Sequence, residues 1–386
     1  MVRLGWVSFF QDIASDMAYP LIPLFLAEVL HAPAEVLGAI EGTADALISI
    51  MNGLSGWYSD RQQRRVPYIR VGYGLAFLGK LLLPLAQSWP WVGASRIIDR
   101  LGKGIRGTAR DALIADVVDK PDLGRAYGFH RAMDTGGAMT GSLVAALMLY
   151  KMPGHYSLIF RIAVIPAALA VLVTWTLHER TRRGETDPAT VNAVNEPLRA
   201  TLSKLPAAYW RTLSLLLLFG LANSSDTFLF LRAHDIGMKD AEVVLLYVLA
   251  NLTGTVVAYP AGSLTDRVGR WGVTAVGWGL YALTYFGFSR ATPDALIWVL
   301  FGMYGVVNGI TQGVGKALIA DHAPKEHRGV AIGFFQMSLG LVALSASLLA
   351  GWLFDHYPHG TPFLIDGGIA LLAMMLIPVL RPKAMS

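Results

Sequence analysis

Residues 56–65 read Gly-Trp-Tyr-Ser-Asp-Arg-Gln-Gln-Arg-Arg, and residues 262–270 read Gly-Ser-Leu-Thr-Asp-Arg-Val-Gly-Arg. The Asp-Arg pair of the second stretch follows that of the first at a distance of 206 residues. Each stretch comes directly after a long apolar run and combines glycine with several arginines. Two copies of one basic loop at this distance indicate that the chain contains a duplicated unit.

Two further matches support the duplication. The pentapeptide Ala-Leu-Ile-Ala-Asp occupies residues 112–116 and again residues 317–321, an offset of 205 residues. Gly128-Phe129 recurs as Gly333-Phe334 at the same offset. Matches in the same order at nearly one offset predict two halves of similar structure. Halves with an even number of membrane spans repeat in parallel orientation, about an axis along the membrane normal.

The composition indicates an all-α membrane protein. Of the 386 residues, 54% are hydrophobic and 15% are charged, whereas soluble domains carry about 25% charged residues. A membrane helix needs about 20 mainly apolar residues, and strand-like alternation does not extend over any long stretch. The apolar runs predict twelve spans, at residues 4–30, 35–58, 67–87, 90–115, 124–150, 157–178, 208–232, 241–264, 272–289, 294–319, 328–354 and 362–380.

A polar segment at residues 179–207 divides the spans into two sets of six. It predicts a cytoplasmic linker between a six-helix bundle at residues 1–178 and another at residues 208–386. Basic residues crowd the loops that follow even-numbered spans, so the positive-inside rule places both termini in the cytoplasm. These loops account for the net charge of +5, and nucleic acid is not predicted as a partner. Cysteine is absent, which excludes disulfides, thiolate metal sites and cysteine nucleophiles.

The two basic loops resemble the G-x-x-x-D-R-x-G-R-R loop of the major facilitator superfamily. The second copy matches well, whereas the first has Gln63 where the family has glycine. The resemblance covers the whole chain and implies two six-helix, pseudo-symmetric bundles that rock about a central cavity. A contact made in only one state biases the equilibrium between states, and we expect the loop to act as such a latch, centred on Asp60 and Arg61. The predicted gating residues are Gly56, Asp60, Arg61, Arg64, Arg65, Gly262, Asp266, Arg267, Gly269 and Arg270.

Span four carries a stripe of basic residues. At 100° per residue, Arg96, Arg100, Lys103 and Arg110 fall on one face of a helix. Charge at the centre of a membrane costs about 2.5 kcal/mol or more per residue, so this stripe is predicted to face a wet cavity, acidic partners or an anionic ligand. Arg96 resembles the arginine of the family's span-four motif, which is tied to proton coupling, although Arg100 replaces the usual glycine four residues later.

Acidic residues lie on the neighbouring spans. Glu41 and Asp45 on span two are the first candidates for carrying a proton, followed by Asp12 and Asp16 on span one and Asp134 on span five. Burial favours the neutral form of a carboxyl group and a nearby arginine favours the charged form, so a change in hydration could couple a proton to movement. The alternative is a static lattice of ion pairs. Lys80 on span three is interpreted as a lone cation.

The second half is poorer in charge and is predicted to supply neutral hydrogen bonds and aromatic stacking. Together with Arg96, Arg100, Lys103 and Arg110, the predicted substrate-binding residues are Asn223, Asp226, Asn308 and Gln312. The sequence therefore predicts a secondary transporter for a small organic solute, expected to be an anion. It is expected to work by alternating access, driven by a proton gradient, as a monomer in the inner membrane.

Other functions stay open at this level. A proton-driven multidrug exporter would use the acids to bind cations, and a carrier of a metal ion or metal chelate would use Asp12, Asp16 and Glu41 as oxygen ligands. No phosphate-binding loop, nucleophile elbow or metalloprotease helix occurs, so neither an enzyme, a cofactor nor a resident metal is predicted. A membrane-embedded enzyme, a lipid scramblase, a channel and a sensor are the alternatives from other classes.

Overall fold

The computed structural model describes residues 2–62, 64–118, 122–178, 198–292, 295–311, 313–324 and 327–382. Within these ranges the chain is helical and forms no strand, which confirms the all-α prediction. By internal contacts the chain divides into two compact units. The first comprises Met1–Arg182 and Asp226–Val248, and the second comprises Arg183–Ser225 and Leu249–Ser386.

The first unit contains most of the charged helices. Its helices are α1 (Val2–Ala18), α2 (Leu21–Leu24), a π-helix (Phe25–Val29), α3 (Ala34–Gln62), α4 (Val66–Leu82), a 3₁₀ turn (Leu83–Leu85), α5 (Trp89–Val117), α6 (Leu123–Lys151), α7 (Tyr156–Thr174), α10 (Thr227–Asp235) and the first residues of α11 (Asp240–Val268). Residues 226–248 therefore pack with the first unit, although they follow the linker in sequence. The predicted division into halves at residues 179–207 stays a prediction.

The second unit is the more apolar of the two. Its helices are α8 (Leu198–Ser203), α9 (Ala207–Gly220), the remainder of α11, α12 (Arg270–Ser289), α13 (Ala295–Thr311), α14 (Val314–His322), α15 (Arg328–His356) and α16 (Thr361–Leu380). Its core joins residues of α9, α12, α14, α15 and α16, including Tyr209, Trp278 and Phe335.

Seven candidate membrane helices stand out by length and apolar composition within the described ranges. The stretches are Val66–Leu85, Arg125–Lys151, Tyr156–Thr174, Asp240–Ala258, Ala295–His322, Arg328–His356 and Thr361–Leu380. α3 and α5 are 29 residues long, or about 44 Å at 1.5 Å per residue, but several charged residues lower their hydropathy. On α5 these charged residues include Arg96, Arg100, Lys103 and Arg110. They are the residues from which the sequence predicted a binding face.

Three predicted spans are broken rather than continuous. Span one stops at Ala18 and resumes as α2 and the π-helix, because Pro20 lacks an N–H group for the helix ladder. Span seven is interrupted at residues 221–226 between α9 and α10, where asparagine, serine and aspartate compete for backbone hydrogen bonds. Span ten is interrupted before α14, where Gly313 has a φ of +89°. Interrupted helices recur at the binding sites of secondary transporters.

Glycines allow two helix pairs to touch at backbone distance. A Cβ atom on Gly102 of α5 would collide with the carbonyl oxygen of Gly72 on α4. A Cβ atom on Gly141 of α6 would collide with the carbonyl oxygen of Ile13 on α1. Small residues permit this close approach of helices in lipid. Both contacts hold polar side chains of α1, α4, α5 and α6 within reach of each other.

Candidate functional site

A bidentate ion pair joins α3 to α5 inside the first unit. The Arg96 guanidinium donates from Nε to Glu41 Oε1 at 2.7 Å and from Nη2 to Glu41 Oε2 at 2.6 Å. Glu41 is 1% exposed and Arg96 is 5% exposed. The Tyr19 ring lies 5.3 Å from the Arg96 guanidinium carbon, beside the break in span one. Of the predicted acids, Glu41 therefore makes the most complete ion pair.

Arg100 and Lys103, one and two turns further along α5 than Arg96, are only loosely paired. Arg100 lies 4.0 Å from Glu41 Oε2 and 5.6 Å from the Tyr19 ring centre. Its Nε is buried and has no hydrogen-bond partner among the described residues. Lys103 is exposed and forms no ion pair with a described residue. Arg100 thus lies beside an aromatic ring with an unused donor, and Lys103 follows it one turn later on α5.

Asp12 and Asp45 face the same cations without direct contact. Asp45 interacts electrostatically with Arg100 and Lys103, and Asp12 interacts with Lys103. Both carboxyl groups are half-buried, and neither forms a salt bridge within the described part of the chain. Charges that lie near each other but do not touch indicate a space that water or a ligand can enter.

The edge of the basic stripe on α5 contains contacts that sequence reasoning missed. Lys80 of α4 donates to Asp99 Oδ1 at 2.8 Å, and both side chains are buried. The interpretation of Lys80 as a lone cation is therefore wrong, because α4 and α5 touch at their glycines and bring Asp99 to it. Arg106 lies over the Tyr73 ring at 4.5 Å. The residue pattern of one helix does not indicate which residue of another helix it will contact, so neither the Lys80–Asp99 nor the Arg106–Tyr73 contact could be predicted.

Arg110 and Asp134 belong to a second polar network near α1 and α6. Arg110 Nη1 lies 3.8 Å from Asp134 Oδ2. His130 Nδ1 lies 3.4 Å from the same oxygen, and its Nε2 lies 2.8 Å from Ser8 Oγ. Asp134 Oδ1 is buried and has no hydrogen-bond partner among the described residues. The structure thus brings both predicted residues together, and it adds His130 and Ser8 to them.

The predicted acid Asp16 accepts a hydrogen bond from a residue of the segment 226–248. Tyr247 Oη donates to Asp16 Oδ1 at 2.5 Å. The predicted metal ligands Asp12, Asp16 and Glu41 therefore do not form a free set, because Asp16 and Glu41 have other partners.

A separate cluster of ligand-type atoms, which the sequence did not predict, joins α7 and the π-helix to α10 and α11. Tyr156 Oη lies 2.5 Å from Glu28 Oε2 and 2.6 Å from Asp240 Oδ2. His234 Nε2 lies 2.6 Å from Glu28 Oε1 and 3.7 Å from Asp240 Oδ1. The ligand atoms of Glu28, His234 and Asp240 all lie within 4.8 Å of one another. These groups could hold a cation or share a proton.

The predicted substrate residues after the linker belong to different units. Asp226 is half-buried and belongs to the first unit, near Tyr19. Asn223 and Asn308 are exposed residues of the second unit. Gln312 lies outside the described residues. The stacked aromatic groups expected here are present, since the Tyr281 and Tyr285 ring centres lie 4.0 Å apart.

The two basic loops form equivalent ion pairs. Arg65 Nε lies 3.4 Å from Asp116 Oδ2, and 205 residues later Arg270 pairs with Asp321. Each acid is the last residue of the repeated pentapeptide, so the duplication in sequence recurs as a duplicated contact.

The other predicted gating residues can be placed only in part. Gly56 packs on Thr108, Arg64 is exposed, and Gly269 has a φ of +81°. The side chains of Asp60, Arg61, Asp266 and Arg267, and the surroundings of Gly262, lie outside the described set. The latch centred on Asp60 and Arg61 therefore stays a prediction.

The sequence profile of the Major Facilitator Superfamily matches residues 4–313 and 233–385. The chain belongs to this family of multi-pass membrane transporters, as the resemblance predicted. It is 30% identical over 380 residues to an MFS-type transporter of Methanocaldococcus jannaschii, covering 97% of this chain and 93% of that protein.

Other similar proteins have named substrates. The chain is 27% identical over 402 residues to the gentisate transporter of Corynebacterium glutamicum, covering 98% of this chain and 86% of that protein. It is 23% identical over 350 residues to the multidrug resistance protein MdtH of Cronobacter sakazakii, covering 88% of this chain and 82% of that protein. The crystal structure of the nucleoside transporter NupG has the same fold, with a TM-score of 0.81, 13% identity and 99% coverage of both chains.

Proposed function

We propose that this transporter carries a small organic anion, in particular an aromatic carboxylate, and couples its movement to protons by alternating access. The supporting observation is that Arg100, beside the Tyr19 ring, and Lys103, one turn later on α5, are only loosely paired. Arg100 Nε and the Lys103 ammonium group have unused donors for a carboxylate. Tyr19 adds an aromatic side chain next to Arg100 that a substrate ring can contact. Similarity to a gentisate transporter favours the same substrate class.

Arg96 and Arg110 have different roles in this proposal. Arg96 is neutralised by Glu41, so it fixes α3 against α5 and orients the neighbouring Arg100. Arg110 is engaged with Asp134 in the network around His130. The substrate carboxylate is therefore assigned to the two cations between them.

The coupling proton is assigned first to Asp45 and Asp12. Both carboxyl groups lie near Lys103 without a direct salt bridge to a described residue, so arrival of a substrate anion changes the charge that they experience. Glu41, Asp16 and Asp134 have closer partners and come after them. The protein is placed in the inner membrane with both termini in the cytoplasm, as the distribution of basic loop residues favours.

Uptake of radiolabelled gentisate into proteoliposomes with an imposed pH gradient tests this proposal. We expect saturable, gradient-dependent uptake, and a loss of about tenfold in kcat/KM for Lys103→Gln, because a hydrogen bond to a charged group contributes about 1.5–3 kcal/mol. Lys151→Gln is the matched control, since Lys151 is exposed at the end of α6. Equal uptake by both variants would remove Lys103 from the binding site.

A multidrug exporter is the second candidate, because Asp12 and Asp45 could bind a cation and MdtH is a similar protein. A lipophilic cationic dye and Mn²⁺, added to the same proteoliposomes, distinguish this function and metal transport from carboxylate transport. Saturable movement of the dye or of Mn²⁺ without gentisate uptake would overturn the proposed substrate class.

A further inference from the structure

A buried carboxyl group in the second unit has no part in the site described above. Asp366 lies on α16 and is 6% exposed. Its position is the sixth of a 20-residue helix, about 8 Å along the axis from the start of the helix. Phe363, Gly367 and Ala370 on the same helix are also buried. Asp366 thus lies inside an apolar helix bundle and not at its surface.

The groups around Asp366 do not compensate a negative charge. Ser224 Oγ donates to Asp366 Oδ2 at 2.9 Å. The titratable neighbours on the packed helices are tyrosines, namely Tyr281 and Tyr285 of α12 and, beyond them, Tyr304 of α13. No lysine, arginine or histidine of the described ranges forms an ion pair with Asp366. A carboxyl group in such surroundings is stable when it is protonated or when it binds a cation.

Ser224 connects this buried group to the interruption of span seven. Residues 221–226 are not helical, and Tyr281 Oη donates to the carbonyl oxygen of Ala222 at 2.6 Å. Ser225 N–H donates to Ser347 Oγ at 3.2 Å. Ser224 is buried, whereas the adjacent Asn223 is exposed. The Ser224 hydroxyl group therefore lies between the buried Asp366 carboxyl group and the exposed residue Asn223 of the interruption.

We propose that Asp366 is a further proton-binding residue of the transport cycle, which exchanges its proton through Ser224 at the interruption of span seven. On release, the Ser224 hydroxyl group, which donates to Asp366 in this structure, first rotates so that its O–H points to water at the interruption. The Asp366 O–H bond then breaks and its proton passes to Ser224 Oγ, while the original Ser224 hydroxyl proton passes to that water. One proton leaves and the serine is regenerated unchanged. The inference rests on the proposed proton coupling, and it adds a residue of the second unit to that coupling.

The charge state of Asp366 can act on the backbone at the interruption. A carboxylate accepts a stronger hydrogen bond from Ser224 than a neutral carboxyl group does. Protonation therefore weakens the link between α16 and residues 221–226, and release of the proton strengthens it. Such a differential contact is what couples a bound proton to a conformational equilibrium.

Infrared difference spectroscopy of the reconstituted full chain tests the proton directly, without a substrate. We expect a carbonyl stretching band of a protonated carboxyl group that disappears in Asp366→Asn and shifts when H₂O is replaced by D₂O. Asp355→Asn, at the exposed end of α15, should retain the band. A band that is present but does not exchange in D₂O would identify Asp366 as a structural residue and overturn the proposal. A response to Na⁺ without loss of a proton would do the same.

Transport in the same proteoliposomes tests the coupling. With gentisate as the probe, Asp366→Asn should keep exchange of labelled for unlabelled substrate across the membrane. It should lose accumulation driven by the pH gradient by roughly tenfold, within the range of about 5–150-fold typical of coupling between sites. Gradient-driven accumulation equal to that of the wild type would overturn this inference and leave the proposed function intact.

Two further variants keep the test decisive if Asp366→Asn does not fold. Ser224→Ala retains the carboxyl group but removes its only described hydrogen-bond donor, so the infrared band should shift and its D₂O exchange should slow. Asp366→Glu should restore the exchangeable band. If the wild type shows the exchangeable band but does not carry gentisate, the proposed substrate fails and the proton site stands.

Discussion

Replacing Glu41 with glutamine is expected to lower the free energy of unfolding by about 3–5 kcal/mol, the typical cost of breaking a buried ion pair from one side. The reason is that Arg96, at 5% exposure, would keep its charge but face a neutral amide, whose one oxygen can accept only one of the two bonds. Thermal unfolding of the purified protein in detergent measures this loss. Asp45→Asn is the matched control, one turn further on α3, because Asp45 forms no salt bridge with a described residue.

The paired replacement Glu41→Leu with Arg96→Met separates the ion pair from the shape of the site. Exchanging both charges for apolar side chains is often neutral or stabilising, so the double variant should recover most of the melting temperature. If Glu41→Gln and Asp45→Asn lower the melting temperature equally, the Glu41–Arg96 pair is not a special anchor of the first unit.

Tyr156→Phe is expected to shift a conformational equilibrium by about tenfold or more, since a hydrogen bond to a charged group contributes about 1.5–3 kcal/mol. Tyr156 Oη contacts Glu28 and Asp240 at 2.5 and 2.6 Å, but a phenol has one proton to donate. The geometry is satisfied when one carboxyl group holds a proton and donates it to Tyr156. Without the hydroxyl group this link between the two acids is lost, only the His234 contacts remain, and residues 226–248 should separate from the π-helix and α7.

The absence of cysteine makes this separation measurable. Spin labels on Val29→Cys and Lys239→Cys, both at exposed positions, report the distance between the two segments. We expect a longer distance to gain population in Tyr156→Phe, relative to the otherwise unchanged labelled protein. Tyr150→Phe, at a position 78% exposed, is the control. Identical distance distributions in both variants would exclude this cluster as a closing contact.

The sequence predicted two kinds of feature: those that recur in both halves and those that depend on the periodicity of a single helix. The duplicated loops and pentapeptide predicted two similar halves, and the structure adds the equivalent pairs Arg65–Asp116 and Arg270–Asp321. Helical periodicity placed Arg96 and Arg100 on one face of α5, where both approach Glu41. These features depend on local sequence, which is why they were accessible before the structure.

Contacts between helices were not accessible in the same way. Lys80 and Asp99 meet because glycines bring α4 and α5 together, and no pattern on either helix specifies the partner. The interruption at residues 221–226 could have been predicted from its run of asparagine, serine and aspartate, which resembles a turn. Asp366 could have been singled out as a lone acid in an apolar run, but its contact with Ser224 required the fold.

The basic face of α5 also has a consequence for biosynthesis. Transfer of such a helix from the translocon into lipid by itself is unfavourable in free energy, because each charge opposes partition into lipid. α3 and α4 emerge from the ribosome before it and already contain Glu41 and Lys80, the counter-ions of Arg96 and Asp99. Membrane insertion of α5 should therefore depend on these two earlier helices, and nascent chains without them should release it to the aqueous side.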